Sequence, residues 1–142
     1  LSNPTSHTEC TAEQAYRWSN GRVIFASGSP FAPVWFGDRL YKPGQGNNAY
    51  IFPGVGLGVY ASSARLVTQS MFLTAAEVLA GIVTEQEIAA GAIYPTLNRV
   101  REVSHAIAVA VCRIAVKEGL AKTALPENLE GYVKSLMYEP DY

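Results

Sequence analysis

The chain has 142 residues, enough for one domain, and its 11 basic and 12 acidic residues give a formal net charge of −1 at pH 7. This balance argues against a nucleic-acid partner, which needs a basic face, and against a polybasic membrane tether. Only 16% of the residues are charged and 49% are hydrophobic, so we expect a helical core or a surface that another part of the protein covers. Glycines interrupt the long uncharged stretch at residues 43–64, and no transmembrane helix is predicted.

The first part of the chain is predicted to form a strand–helix–strand unit. Residues 1–4 resemble the end of a strand, because Pro4 favours an extended residue before it. Thr11 and Gln14 have the spacing of a capping box, which predicts a helix that ends at Asn20-Gly21. The apolar run at residues 23–26 is typical of a buried parallel strand. Such a βαβ unit is the building block of a doubly wound α/β sheet.

Residues 29–48 are predicted to be a loop, punctuated by prolines and glycines, with a small edge strand at Leu40 and Tyr41. After Pro53 the chain is predicted to be helical, with helices over residues 54–65, 71–82, 85–91, 100–119 and 127–136. The fold class predicted is therefore α/β and helix-rich towards the C-terminus.

Several kinds of chemistry find no support in the sequence. His7 and His105 lie on different predicted elements, no cluster has metal-ligand spacing, and no Ser-His-Asp arrangement has a local signature. His105 falls on an apolar helix, where a structural role is expected. Cys10 and Cys112 are isolated, and we interpret them as reduced thiols of an intracellular protein. The sequence therefore predicts no catalytic residue and no metal ligand.

The run of residues 54–58 alternates glycine with Val and Leu and resembles part of a dinucleotide fingerprint. The fingerprint G-x-G-x-x-G needs a third glycine where this chain has Val59, and it should follow a strand. We therefore interpret these glycines as positions where a helix packs closely on a neighbour.

Two asparagine-bearing segments remain as candidate ligand sites. Ligands of open α/β sheets bind outside the carboxyl ends of the strands, where Asn3 and residues 27–28 are expected. An Asn amide offers two donors and one acceptor without charge. Glycines at positions 44 and 46 would let the backbone approach a ligand and direct Asn47 or Asn48 towards it. The alternatives are an Asx-turn at Asn3 and an N-cap of the following helix at Asn47 or Asn48.

Several segments resemble the NAD(P)-binding domain of malic enzymes. They are Leu1-Ser2-Asn3-Pro4-Thr5, Glu9-Cys10-Thr11-Ala12-Glu13, Phe25-Ala26-Ser27-Gly28-Ser29-Pro30-Phe31, Pro43-Gly44-Gln45-Gly46-Asn47-Asn48, Tyr50-Ile51-Phe52-Pro53-Gly54, Tyr94-Pro95 and Arg101-Glu102-Val103-Ser104. The resemblance extends over residues 1–120 and is most specific from residue 25 to residue 54. Residues 121–142 are less diagnostic and are expected to form a C-terminal helix and tail, and residues 137–140 look like the tails of some family members.

The resemblance implies the C-terminal portion of a Rossmann-like doubly wound domain, from an enzyme that oxidises L-malate and decarboxylates it to pyruvate and CO2. NAD or NADP would be reduced, and the complete enzyme would use a divalent metal, Mg or Mn. By the family's motifs, Asn3 would contact malate and the nicotinamide side of the cofactor. Asn47 would contact malate, and Asn48 is a further candidate.

Other functional residues of the family cannot be carried over. Its catalytic tyrosine and lysine, its acidic metal ligands and its dinucleotide fingerprint all precede the Ser-Asn-Pro-Thr motif, so we expect this chain to be the C-terminal piece of a malic enzyme. The partners implied are malate and pyruvate, with further copies of the complete enzyme in a homo-oligomer, and neither nucleic acid nor membrane. The location would be intracellular, in cytoplasm, mitochondrion or plastid.

Two other interpretations stay open at the level of the residues. The chain could be a non-catalytic Rossmann-like module for binding or assembly. It could also come from another dehydrogenase with a similar half-domain, such as an amino-acid dehydrogenase, although the segment from residue 25 to residue 54 disfavours that reading.

Overall fold

A computed structural model of the chain describes residues 4–139, which divide into two compact units. Residues 4–47 and 82–95 form the first unit, and residues 48–81 and 96–139 form the second. The two units do not divide near residue 120. The boundary at residue 120 was expected from the family resemblance, and it stays a prediction. Helices dominate from Phe52 onward, and the α/β class is confirmed.

The first unit holds the strands. Its elements are a 3-10 helix at Thr5–His7, helix α1 at Ala12–Ser19, strands β1 at Ala26–Ser27, β2 at Val34–Phe36, β3 at Arg39–Tyr41 and β4 at Gly44–Gln45, and helix α4 at Glu85–Ala89. The second unit is helical, with 3-10 helices at Asn48–Tyr50 and Leu97–Arg99 and helices α2 at Phe52–Ser62, α3 at Gln69–Ile82, α5 at Val100–Lys117 and α6 at Leu129–Ser135. Only the last residue of α3 is counted with the first unit.

Both predicted capping boxes are confirmed. Thr11 Oγ1 accepts a hydrogen bond from the Gln14 backbone N–H at 3.2 Å, and Gln14 Oε1 accepts one from the Thr11 N–H at 2.9 Å. Thr84 and Glu87 make the same reciprocal pair at the start of α4. These bonds satisfy backbone donors that the first turn of a helix leaves without partners. Helix α1 ends, as predicted, where Asn20 adopts a left-handed conformation.

The parallel pairing lies at positions that the sequence did not predict. Strand β1 pairs in parallel with β4, with Ala26 opposite Gly44 and Ser27 opposite Gln45. The predicted strand over residues 23–26 is therefore displaced towards the C-terminus, and its partner comes from the segment predicted to be a loop. Gly44 is buried, and a Cβ atom there would lie 3.3 Å from the Cβ of Ala26. A glycine-rich run becomes a strand here because its backbone packs closely against its neighbours.

A β-hairpin also occupies the predicted loop. Strands β2 and β3 pair antiparallel, with Phe36 opposite Arg39 and a two-residue turn between them. Gly37 in that turn has φ of 61°, a value that favours glycine. The edge strand expected at Leu40 and Tyr41 is thus confirmed as half of a hairpin, and β2 was missed. The buried core beside it consists of Ala12, Tyr16 and Tyr41 with half-buried Val23, Phe25, Phe31, Val34 and Phe36.

The second unit is built on the contact of α2 with α5. Gly54 and Gly58 face α5 so closely that a Cβ atom on either glycine would lie 2.7 Å from the Cβ of Ile107 or Val111, respectively. The predicted role in helix packing is therefore confirmed for Gly54 and Gly58. It is wrong for Gly56, which is exposed and has no described neighbour within 4 Å of a Cβ atom. Beside the contact lies a buried cluster of Ala61, Ala108, Val109, Cys112 and Val133.

His105 has the structural role that the sequence predicted. Its Nε2 atom lies 2.9 Å from the carbonyl oxygen of Glu130, so it joins α5 to the first turn of α6. The side chain of Asn128 caps α6 by accepting a hydrogen bond from the Gly131 N–H at 3.0 Å. No helix within residues 4–139 combines the length and apolarity needed to cross a membrane.

Candidate functional site

The two parallel strands of the first unit end side by side. Ser27 and Gln45 are the last residues of β1 and β4 and lie opposite each other in the register. The Gly46 N–H donates a hydrogen bond to the Ser27 carbonyl oxygen at 2.8 Å, which extends the pairing by one residue. The segments that begin at Gly28 and Gly46 therefore leave the sheet at its carboxyl edge, which is where open α/β sheets bind ligands.

Uncharged polar side chains line this edge. Ser27 and Ser29 are buried, and Ser27 Oγ accepts a hydrogen bond from the Ser29 N–H at 3.4 Å. Gln45 is half-buried, and its Nε2 donates to the Gly28 carbonyl oxygen at 3.4 Å. The sequence placed residues 27–28 at this edge but did not single out Ser29 or Gln45. Ser29 lies just past the end of β1, and Gln45 is the last residue of β4. A position at a strand end is a signal for a ligand site, but Gln45 was missed because β4 was predicted to be loop.

Asn47 lies at the same edge, two residues beyond the end of β4, and its side chain is exposed. The structure thus brings Asn47 to the same edge as residues 27–28, whereas the sequence had placed only Asn3 and residues 27–28 there. Asn48 begins the next unit as the first residue of the 3-10 helix, and its carbonyl oxygen accepts a hydrogen bond from the Ile51 N–H at 3.1 Å. Asn3 lies outside the described residues. The contact of Asn3 or Asn47 with malate stays a prediction, and so does the N-cap alternative.

Gly44 does not have the role that the sequence suggested. A Cβ atom at this position would lie 3.3 Å from the Cβ of Ala26 and 3.4 Å from Cδ2 of Tyr94. The space beside Gly44 is therefore filled by the protein, and the expectation that this glycine lets a ligand approach is wrong.

Ser27, Ser29 and Gln45 at the carboxyl edge carry hydroxyl and amide groups, which are uncharged. Within residues 4–139, no group of three or more His, Cys, Asp or Glu side chains could hold a metal ion. Burial raises the pKa of Tyr16 in the core of the first unit and that of Cys112 in the core of the second. Both groups are structural, since neither lies on the carboxyl edge.

Comparison with known proteins shows which family this chain resembles over its whole length. The family model described as "Malic enzyme, NAD binding domain" matches residues 1–116. The chain is 53% identical over 142 residues to an NADP-dependent malic enzyme of Dictyostelium discoideum, covering all of this chain and 26% of that protein. It is 54% identical to a chloroplastic NADP-dependent malic enzyme of Flaveria pringlei and 51% identical to one of Oryza sativa subsp. japonica, each over 143 residues and 22% of that protein. The chain thus spans about a quarter of the length of these curated relatives.

Proposed function

Because this chain belongs to the malic enzyme family, we propose that it forms part of an enzyme that oxidises L-malate with NADP and decarboxylates the product to pyruvate and CO2. The names of the relatives, which are NADP-dependent malic enzymes, support NADP over NAD. The observation that supports a substrate site here is the parallel pairing of β1 with β4. Because of this pairing, Asn47 lies at a carboxyl edge of the sheet.

In this proposal, Asn47 binds malate. Its side-chain NH2 can donate to a substrate carboxylate or hydroxyl, and its oxygen can accept from the hydroxyl. Asn3 has the same role and also contacts the nicotinamide side of the cofactor, and Asn48 is a further candidate. NADP, when bound, supplies the acceptor for the hydride that leaves malate. The chain's contribution is to hold and orient the substrate.

The divalent metal of the family does not fit the described residues. Within residues 4–139, no group of three or more His, Cys, Asp or Glu side chains could hold Mg or Mn. The carboxyl edge bears hydroxyl and amide groups, which suit an organic acid better than a divalent cation. We therefore derive no step through a metal, and its ligands would come from other parts of the enzyme.

The proposed partners are malate and pyruvate, and further copies of the complete enzyme in a homo-oligomer. The proposed location is intracellular, in cytoplasm, mitochondrion or plastid; the relatives from rice and Flaveria pringlei are chloroplastic by name.

The test is a malate oxidation assay on the complete enzyme that carries this chain. We expect malate-dependent NADPH formation with Mg or Mn present, and pyruvate as the product. Reduction of NAD but not NADP would correct the cofactor, and absence of both activities would favour the alternative of a non-catalytic binding or assembly module.

A further inference from the structure

The segment Gly44-Gln45-Gly46 carries a single side chain, and it makes a bond across the edge of the parallel pair. Gln45 Nε2 donates to the carbonyl oxygen of Gly28 at 3.4 Å, so the end of β4 is linked to the segment that follows β1. The backbone bond from the Gly46 N–H to the Ser27 carbonyl oxygen, at 2.8 Å, is the second link at this edge. Both bonds are made within the first unit.

Asn47 comes next in the chain after these two links. It follows Gly46 directly, and glycine has a wider choice of backbone conformations than any other residue. Gly44 on the other side is packed against Ala26 and Tyr94, so the start of β4 is held by packing. At the end of β4, Gln45 supplies the side chain, and it is half-buried.

We propose that Gln45 is a positioning residue, which holds the end of β4 against Gly28 and thereby directs the Asn47 amide towards the substrate. This inference rests on the proposed role of Asn47 in malate binding. Gln45 acts through Asn47 and does not itself need to touch malate. Loss of its side-chain amide would leave the backbone at Gly46 less restrained, so that Asn47 populates the binding conformation for a smaller fraction of the time.

The test is a double-mutant cycle in the complete enzyme, with Gln45→Met, Asn47→Ala and the two together. Methionine keeps the length of glutamine but lacks the donor. We expect Gln45→Met to lower kcat/KM for malate about three- to tenfold, the value of one hydrogen bond, chiefly by raising the KM for malate. The KM for the cofactor should stay within about twofold, because the effect passes through a malate contact. In the Asn47→Ala background, Gln45→Met should have almost no further effect.

Two further variants make the result specific. Gln45→Glu keeps the length but has no donor when ionised, and its charge repels the Gly28 carbonyl oxygen and the substrate carboxylates, so it should give at least as large a loss; it replaces Gln45→Met if that variant fails to fold. Gln86→Met, at an exposed glutamine on α4, is the matched control and should leave the kinetics unchanged.

The outcomes separate this inference from the proposed function. If Asn47→Ala lowers kcat/KM and Gln45→Met has no effect, or an effect that adds fully to that of Asn47→Ala, the positioning role is overturned and the role of Asn47 stands. If Asn47→Ala leaves kcat/KM unchanged, the substrate contact and the positioning role are both overturned.

Discussion

Gly58 and Val111 are in contact so close that a Cβ atom on Gly58 would lie 2.7 Å from the Cβ of Val111. The same atom would lie 2.8 Å from the carbonyl oxygen of Ala108, a backbone group that cannot turn away. The backbone of α2 at Gly58 therefore packs directly against the branched side chain of Val111 on α5. The Gly58 carbonyl oxygen also accepts hydrogen bonds from Ser62 Oγ at 2.7 Å and from the Cys112 thiol at 3.4 Å.

We expect Gly58→Ala to destabilise the enzyme. Alanine favours a helix over glycine by about 1 kcal/mol, but forcing a methyl group into this contact should cost about 1–3 kcal/mol, and more here because backbone must move. The net loss should appear as a lower Tm. Gly56→Ala is the matched control, because no atom of residues 4–139 outside its own helix turn lies within 4 Å of a Cβ at that exposed position, and it should raise the Tm. Equal effects of the two substitutions would contradict the packing role of Gly58.

Asn47→Ala should lower kcat/KM for malate about ten- to a hundredfold in the complete enzyme, the value of a hydrogen bond to a charged partner. Steady-state kinetics and a melting curve on the same variant separate the two readings of this residue. Unchanged kcat/KM with a lower Tm would mean that Asn47 only caps the following 3-10 helix. Asn3→Ala should cause a similar loss and also raise the KM for the cofactor.

Tyr16→Phe and Tyr41→Phe should have different effects on stability. The hydroxyl of Tyr16 is buried and has no hydrogen-bond partner within the part of the chain that the structure describes. Removing it should leave the free energy of unfolding unchanged or raise it by up to about 1 kcal/mol, since a buried polar group without a partner is costly. Tyr41 donates its hydroxyl proton to the Gly21 carbonyl oxygen at 3.0 Å, so Tyr41→Phe should cost about 0.5–1.5 kcal/mol.

Denaturant unfolding of the two phenylalanine variants checks this pair, since they lose the same atom from rings whose centroids lie 4.5 Å apart. An equal loss for Tyr16→Phe would show that its hydroxyl has a partner in the complete enzyme.

Cys112 should resist alkylation in the native enzyme while Cys10 reacts. Cys112 is fully buried, and burial raises the pKa of its thiol, whereas Cys10 is half-buried. Iodoacetamide labelling followed by peptide mass mapping measures both, with Cys10→Ser as the variant that leaves Cys112 in place. Rapid native labelling of Cys112 would show that α5 opens readily.

The raised pKa of Cys112 also sets the sign of a pH effect on stability. Below a thiol pKa of about 8.5, both the folded and the unfolded chain keep the proton, and this group adds no pH dependence. Above that pH the unfolded chain loses the proton first, so the free energy of unfolding should fall as the pH rises. Cys112→Ala should flatten that slope, although its cavity lowers stability at every pH.

Local signals predicted the helices and their ends well. The capping boxes at Thr11 and Thr84 need only residues three positions apart, so the sequence alone determines them. The close packing of Gly58 was also predictable in kind, because Gly54 and Gly58 are four positions apart and so lie on one face of a helix. The residue that Gly58 contacts was not predictable, because Val111 lies 53 positions further along the chain.

Tertiary structure decided the arrangement of the candidate site. Local sequence is enough to show that Asn47 follows a glycine-rich run, that Ser27 follows an apolar one, and that the residues from 43 to 48 resemble malic enzymes. Only the folded chain shows that Gly44 lies against Ala26, that β4 exists, and that Gln45 reaches Gly28. The physical reason is that a two-residue strand has no periodic pattern of its own. It becomes a strand when its backbone groups find partners on a distant segment, and those partners are not visible in the local sequence.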